Sequence, residues 1–194
     1  MHEATSREEI ETVKVLLIED NPDDARIVES MLSEAQGAME VRFGVIEVCW
    51  VDGLAGALDL LSRQNFDAVL VDLQLPDSTG LETLAEVRSA AASAAIVVLT
   101  GFDDDGQALA AIKRGAQDYV AKDQLDGRLL SRTIRHAIER KRAEVELRRH
   151  AREVEAGLIA VSSRGKTALK HLLIGSVAER IVRLAHCPVL VLKK

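Results

Sequence analysis

The fold of this chain is decided by an apolar run that ends in an aspartate, Val69-Leu70-Val71-Asp72-Leu73-Gln74-Leu75-Pro76. The run has the composition of a buried strand, and the proline at its end predicts a turn. A carboxylate at this position costs on the order of several kcal/mol if it is buried without a partner. We therefore expect Asp72 to be paired with a cation or to be used in chemistry.

The composition predicts a globular protein with a sizeable core and no affinity for nucleic acid. Apolar residues make up 47% of the 194 residues, aromatic residues only 3%, and the net charge is −6. Stacking on bases needs aromatic side chains and binding to phosphates needs positive charge, so we expect no DNA binding. The two cysteines, Cys49 and Cys187, lack metal-ligand spacing. Residues 1–12 are polar and predict a flexible N-terminus rather than a signal peptide. No apolar run approaches the roughly 20 residues of a membrane span, so the sequence predicts a cytoplasmic protein.

Short apolar runs alternate with helical patterns from residue 13 to residue 122. Strands are predicted at residues 13–18, 46–51, 66–75, 95–100 and 118–122. Helices are predicted from Asn21-Pro22, at residues 53–63 and 80–89, and from Asp103 to Gly115. Alternating strands and helices are typical of an α/β fold with a parallel, doubly wound sheet. We therefore expect five parallel strands covered by helices on both faces.

Ligands of such folds bind at the carboxyl ends of the strands. The polar residues at these predicted ends are Glu19, Asp20, Asp72, Thr100 and Lys122. Three carboxylates in one pocket repel one another unless a cation joins them, and oxygen ligands suit Mg²⁺. Asp72 is then a candidate nucleophile toward a phosphoryl group, with the metal and Lys122 neutralising the developing charge and Thr100 hydrogen-bonding the product.

Four motifs occur in an order that resembles the receiver domain of response regulators. They are Leu16-Leu17-Ile18-Glu19-Asp20-Asn21, the segment from Val71 to Glu82, Val97-Val98-Leu99-Thr100-Gly101 and Asp118-Tyr119-Val120-Ala121-Lys122. The resemblance covers residues 13–136 and implies a flavodoxin-like fold. It also implies that a sensor histidine kinase or a phosphotransfer protein phosphorylates Asp72. Such a domain is not an enzyme beyond catalysing its own phosphorylation and dephosphorylation.

The resemblance further implies a role for each site residue. The Mg²⁺ ligands would be Glu19, Asp20, Asp72 and the backbone carbonyl of Gln74. Thr100 and Tyr119 would form a switch pair, and Lys122 would contact the phosphate. Asp123 follows the lysine where the family commonly has proline, which affects the local turn but not the role of Lys122.

Simpler interpretations of the same residues stand beside these. Asp72 alone would fit a strand-end cap, and Tyr119 would fit ordinary core packing. A phosphoaspartate hydrolase also combines an aspartate, a hydroxyl residue and a lysine. That activity is disfavoured because Gln74 occupies the position where a second aspartate is needed.

The next segment is rich in charge, and the sequence predicts one long linker helix at residues 137–156. No glycine lies between Arg128 and Ala156. Leu147, Ala151, Val154 and Leu158 step by four, three and four residues, as the seam of a coiled coil does. Both a dimeric signalling helix and a solvated monomeric helix fit this pattern.

The last segment, residues 157–194, predicts a small β-α-β fragment. Its strands are predicted at residues 158–162 and 188–192, with a helical region at 166–185 that is interrupted at Gly175-Ser176. The stretches at residues 158–165, 174–180 and 187–191 resemble the last third of a universal stress protein. The nucleotide-binding members of that family make Gly165, Gly175 and Ser176 candidate nucleotide ligands. Ser162 departs from that pattern, because it replaces the first glycine.

Two classes of function follow from the whole sequence. The first is a response regulator of a two-component phosphorelay, whose switch alters association through the helix and the C-terminal fragment. The alternative is a nucleotide-binding universal-stress-type protein that carries a receiver as a regulatory domain. A fragment of this size buries too little apolar surface to fold alone, so we expect a homodimer that pairs residues 188–192.

Overall fold

The computed structural model describes residues 12–38, 45–101, 105–153, 157–162, 181–182, 185 and 187–192. The chain divides into two compact units, Met1–Ile138 and Glu139–Lys194. Among the described residues, no helix has the length and apolar character that crossing a membrane requires.

A five-stranded parallel sheet forms the centre of the first unit. Its strands are β1 Val13–Ile18, β2 Ile46–Val51, β3 Ala68–Asp72, β4 Ala95–Thr100 and β5 Asp118–Ala121. The spatial order is β2-β1-β3-β4-β5, and every neighbouring pair is parallel. This arrangement confirms the predicted α/β fold. It also brings the carboxyl ends of all five strands to one edge of the sheet.

Helices cover both faces of this sheet. They are α1 Pro22–Ala38, α2 Leu54–Arg63, α3 Gly80–Ala90, α4 Asp105–Arg114 and α5 Gly127–Glu153. One apolar cluster joins α2, α3 and α4 to alternate strand residues such as Val69 and Val71. The other joins α1 and α5 to the residues between them, such as Ala68 and Leu70. Because both faces are covered, β3 is buried at every position and shows no polar alternation.

Two predicted strands are too long at their carboxyl ends. The chain leaves β3 after Asp72, because Gln74 forms an antiparallel bridge with Thr79 and the Gly80 N–H bonds to the Leu73 carbonyl at 2.6 Å. Gly80 has a φ of 63°, which favours glycine at this return turn. β5 ends at Ala121, because Lys122 begins a short 3-10 helix, Lys122–Gln124.

The second unit contains a small parallel pair of strands, β6 Ile159–Ser162 and β7 Val189–Leu192. Ile159 and Ile181 form its buried core, and Leu147 packs against them. Both predicted strands are present, whereas most of the predicted helical region lies outside the described residues. Of the predicted coiled-coil seam, Leu147 and Ala151 lie in α5, Val154 lies outside the described residues and Leu158 is not helical, so the seam stays a prediction.

Candidate functional site

The polar residues predicted to meet at the sheet edge do lie at strand ends. Asp72 and Thr100 are the last residues of β3 and β4, while Glu19 directly follows β1 and Lys122 directly follows β5. The parallel register therefore delivers all four residues to the carboxyl edge of the sheet. The sequence alone predicts this position, because the carboxyl ends of parallel strands lie at the same edge of the sheet.

Three carboxylates converge at this edge. Glu19, Asp20 and Asp72 each offer an oxygen, and these oxygens lie within 4.8 Å of one another. Glu19 is fully buried and Asp72 is 8% exposed, whereas Asp20 is exposed. One oxygen of Asp72, Oδ1, accepts a hydrogen bond from the Gln74 N–H at 2.8 Å. The strand end and its following turn therefore orient the Asp72 carboxylate.

The Lys122 ammonium lies among these carboxylates. Its Nζ is 2.6 Å from Asp72 Oδ2 and 3.2 Å from Asp24 Oδ2. It donates a hydrogen bond to Glu19 Oε1 at 2.9 Å. It also lies 2.7 Å from Glu19 Oε2, where the geometry makes an ion pair but not a hydrogen bond. One cation therefore partly offsets the repulsion within a cluster of four carboxylates.

Burial and pairing shift the pKa values of this cluster. Burial raises the pKa of the Glu19 carboxyl, although the hydrogen bond and the charge of Lys122 oppose that shift. Burial alone would lower the pKa of the Lys122 ammonium, but hydrogen bonds to Asp72 and Glu19 outweigh it and raise the pKa. Lys122 is therefore charged at neutral pH and acts as the counter-ion of the cluster.

The residues present fit a Mg²⁺ ion. All three converging groups supply carboxylate oxygens, which are the ligands that Mg²⁺ prefers. Glu19 Oε2 is buried and accepts no hydrogen bond, and although the Lys122 ammonium lies 2.7 Å away, this oxygen can also contact a second cation. Asp20 is exposed, which leaves that side of the site open to the water ligands that Mg²⁺ usually keeps.

The predicted switch residues differ in their surroundings. Thr100 is 7% exposed at the end of β4, whereas Tyr119 is 41% exposed in β5. Its exposure does not fit the simpler interpretation of Tyr119 as a core residue. An open cleft beside the site is lined by Asp20, Gln74, Leu75, Pro76, Thr79 and Gly80. The candidate nucleotide ligands Gly165, Gly175 and Ser176 lie outside the described residues.

Sequence reasoning missed two residues that contact the site and a third that caps a helix. Asp24 pairs with Lys122, and Trp50 donates its indole N–H to the Glu19 carbonyl at 2.8 Å. Asp77 accepts hydrogen bonds from the Leu54 and Ala55 N–H groups, at 3.0 and 2.9 Å, and thereby caps α2. Asp23 and Asp24 form an acidic first turn of α1, a pattern that indicates a helix start and does not predict a contact with Lys122.

Asp77→Ala is expected to lower the free energy of unfolding by about 1 kcal/mol at neutral pH, because α2 loses its cap. The two N–H donors lower the pKa of the Asp77 carboxyl. Its contribution is therefore complete above the unfolded-state pKa of about 3.9 and is lost as the pH falls through the folded-state pKa. Urea unfolding of both proteins should show a difference that shrinks toward low pH.

The matched control is Asp59→Ala, which removes a carboxylate whose partner is Arg63 one helical turn away on the exposed face of α2. We expect a smaller loss there, since exposed ion pairs contribute little. Equal losses of stability in the two variants would show that the cap adds nothing to the stability of the fold. A loss in Asp77→Ala that does not change with pH would show that the ionised carboxylate is not its source.

A family model, described as the response regulator receiver domain, matches residues 15–134. The match covers more than half of the 194-residue chain. The chain belongs to this family. The predicted receiver domain is thereby confirmed, and it is a signalling domain of the kind found in two-component response regulators.

Curated relatives support the same family. The chain is 36% identical over 96 residues to the swarming motility regulation protein RssB of Serratia marcescens, covering 50% of this chain and 43% of that protein. It is 33% identical over 122 residues to the nitrate/nitrite response regulator NarP of Escherichia coli, covering 63% and 53% respectively. The chain thus spans about half the length of the curated relatives it matches.

The resemblance to universal stress proteins has narrower support. A universal stress protein of Methanocaldococcus jannaschii is 51% identical over 49 residues, which is 25% of this chain and 29% of that protein.

Solved structures match the receiver domain over almost their full length. A response regulator receiver domain protein from Clostridium thermocellum is 26% identical with a TM-score of 0.57, covering 68% of this chain and 98% of that one. The receiver domain of a sensor histidine kinase from Pseudomonas aeruginosa is 27% identical with a TM-score of 0.55, covering 66% and 99%. That structure has a magnesium ion coordinated in its active-site cleft.

Proposed function

We propose that this receiver domain is a phosphorylation switch in which Asp72 accepts a phosphoryl group from the phosphohistidine of a sensor kinase or phosphotransfer protein. The observation that carries the proposal is the position of the Asp72 carboxylate. It ends the central strand, lies 2.6 Å from the Lys122 ammonium and shares the edge with Glu19 and Asp20. Family membership adds to this, since the receiver domains of response regulators are signalling domains.

The transfer requires one bond to form and one to break. An oxygen of Asp72 attacks phosphorus, and the bond from phosphorus to the donor's imidazole nitrogen breaks, so that nitrogen leaves with the electron pair. Lys122, already hydrogen-bonded to Asp72, is placed to neutralise charge on the transferred group. Water is then the nucleophile that removes the phosphoryl group and returns free phosphate.

Glu19, Asp20, Asp72 and the backbone carbonyl of Gln74 would hold Mg²⁺. The ion, when bound, supplies positive charge that stabilises the transferring phosphoryl group. Support comes from the three converging carboxylates and from the magnesium-bound structure of a similar receiver domain. The mutual repulsion of these carboxylates also favours a divalent cation, because the single positive charge of Lys122 offsets one negative charge among several.

Thr100 and Tyr119 form the proposed switch. The Thr100 side chain ends the strand adjacent to β3, from which its hydroxyl would donate a hydrogen bond to the new phosphate. Tyr119 lies on the neighbouring strand and is 41% exposed, an outward position from which its ring would move inward when Thr100 shifts. The switch would in this way convert a change at Asp72 into a change on the surface of β5.

The proposed output is association through α5 and the second unit. Leu190 and Leu192 of β7 are 47% and 53% exposed, so one face of this strand presents apolar side chains that a second copy of the chain would cover. We propose this homodimer as the output rather than nucleotide binding, because these exposed leucines favour a protein partner.

Incubation with acetyl phosphate tests the proposed function. We expect the full chain to gain one phosphoryl group when Mg²⁺ is present and almost none in EDTA, because the carboxylates then lack their divalent counter-ion. Intact-mass spectrometry measures the gain.

Sedimentation velocity on the same samples should show more dimer after phosphorylation, and Thr100→Ala should be phosphorylated without this change. A wild-type chain that gains no phosphoryl group would defeat the proposal, and unchanged sedimentation would defeat its output.

A further inference from the structure

The Glu19 backbone is held at both of its polar groups by β2. Its N–H donates to the Val51 carbonyl at 3.1 Å, which continues the ladder between β1 and β2. Its carbonyl accepts the Trp50 indole N–H at 2.8 Å. That carbonyl belongs to the peptide that joins Glu19 to Asp20, so the indole fixes the orientation of the link between the two acidic residues.

A packing role alone does not account for this contact. Trp50 lies on the edge strand β2 and is 39% exposed, so complete burial in the core does not fix the position of its ring. The indole instead reaches the one backbone carbonyl between two of the converging carboxylates. Asp20 is exposed, and its position therefore depends more on its backbone than on packing.

We propose that Trp50 is a positioning residue for the metal site, which holds the Glu19–Asp20 peptide so that both carboxylates face the ion. The inference rests on the proposed Mg²⁺ site and adds to it a residue outside the ligand set. Groups that orient metal ligands without touching the metal commonly change metal affinity about 10- to 100-fold when they are removed. Trp50, hydrogen-bonded to a ligand's backbone, is such a group.

The same contact makes Trp50 a reporter of metal binding. Trp50 is the single tryptophan of the sequence, so the tryptophan emission of the protein arises from this one side chain. When Glu19 and Asp20 bind an ion, the electric field and the geometry change at the Glu19 carbonyl, which accepts the hydrogen bond from the indole. The emission of Trp50 should therefore change as the site fills.

The test compares calorimetry with fluorescence on the full chain, using MgCl₂ as the probe. Wild-type protein should give saturable heat, and its Trp50 emission should follow the same binding curve. Asp20→Asn should remove both signals. Trp50→Phe, which keeps an aromatic ring but lacks the N–H, should bind Mg²⁺ about tenfold more weakly by calorimetry. The control Val45→Ala shortens an exposed side chain that precedes β2 and should leave the Kd unchanged.

The outcomes separate this inference from the proposed function. Absence of saturable Mg²⁺ binding by the wild-type chain would overturn the metal site and the role of Trp50 with it. Normal binding by the wild type with an unchanged Kd in Trp50→Phe would overturn the positioning role alone. Wild-type emission that does not respond while heat shows binding would also count against it, even if Trp50→Phe proved too unstable to study. A loss of stability in Trp50→Phe without a change in Kd would show a purely structural residue.

Discussion

Lys122→Met is expected to lower the free energy of unfolding by about 3 kcal/mol in EDTA at neutral pH, because it leaves buried carboxylates without their cation. Lys122 Nζ lies 2.7 Å from Glu19 and 2.6 Å from Asp72. Glu19 is fully buried and Asp72 nearly so. Phosphorylation by acetyl phosphate should fall at least about tenfold, since Lys122 no longer neutralises the incoming group.

Urea unfolding with and without Mg²⁺ measures the first effect. Mg²⁺ should stabilise Lys122→Met more than it stabilises the wild type. In the variant the ion takes the place of the missing ammonium, whereas in the wild type it shares the carboxylates with Lys122. The loss of stability in Lys122→Met should also become smaller as the pH falls. Burial raises the pKa of Glu19, and protonation of this carboxylate removes one of the charges that repel one another. Lys113→Met, at an exposed position in the last turn of α4, is the control and should change stability by less than about 0.5 kcal/mol. Equal stability of the two variants would contradict this account of Lys122.

Gly127→Ala is expected to destabilise the first unit by about 2 kcal/mol, because the added methyl group has no space. Gly127 is the first residue of α5, and a Cβ there would overlap the Met31 carbonyl oxygen of α1. It would also lie 3.3 Å from the Ala35 Cβ. A backbone oxygen inside a helix cannot move aside cheaply, so the two helices would have to separate where α1 and α5 pack on the sheet.

The matched control is Gly106→Ala in α4. Apart from the neighbouring backbone of α4, no atom of the described residues lies within 4 Å of a Cβ at Gly106, and the residue is exposed. Alanine is favoured over glycine in helices, so this variant should be unchanged or slightly more stable. Thermal unfolding of both variants measures the difference. A Gly127→Ala protein as stable as Gly106→Ala would contradict the close approach of α1 and α5.

The carboxyl ends of three strands could be predicted from the sequence because polar or turn residues follow the apolar run there. The predicted bounds of β1, β2 and β4 agree with the structure. β3 was predicted too long because Leu73 and Leu75 stay buried after the ladder ends, each 3% exposed. An apolar pattern indicates that residues are buried, but it does not distinguish a strand from a buried loop that follows the strand.

The centre of the site could be predicted because topology alone brings strand ends together. Glu19, Asp72 and Lys122 needed only the rule that parallel strands end at one edge. The contacts of Trp50 and Asp77 could not be predicted in the same way. The first reaches 31 residues back along the chain and the second 23 residues back, and neither follows a helical or strand period. Such contacts depend on how loops pack, which no local pattern in the sequence shows.

The central claim is that Asp72 itself carries the phosphoryl group. Phosphorylation of Asp72→Asn by acetyl phosphate and Mg²⁺, followed by intact-mass spectrometry, tests it most directly. Asp67→Asn is the control, because Asp67 lies just before the same strand, where it accepts the Lys14 N–H at the opposite edge of the sheet. We expect the wild type and Asp67→Asn each to gain one phosphoryl group, and Asp72→Asn to gain none. An Asp72→Asn protein that gains the group at the wild-type rate would contradict the account.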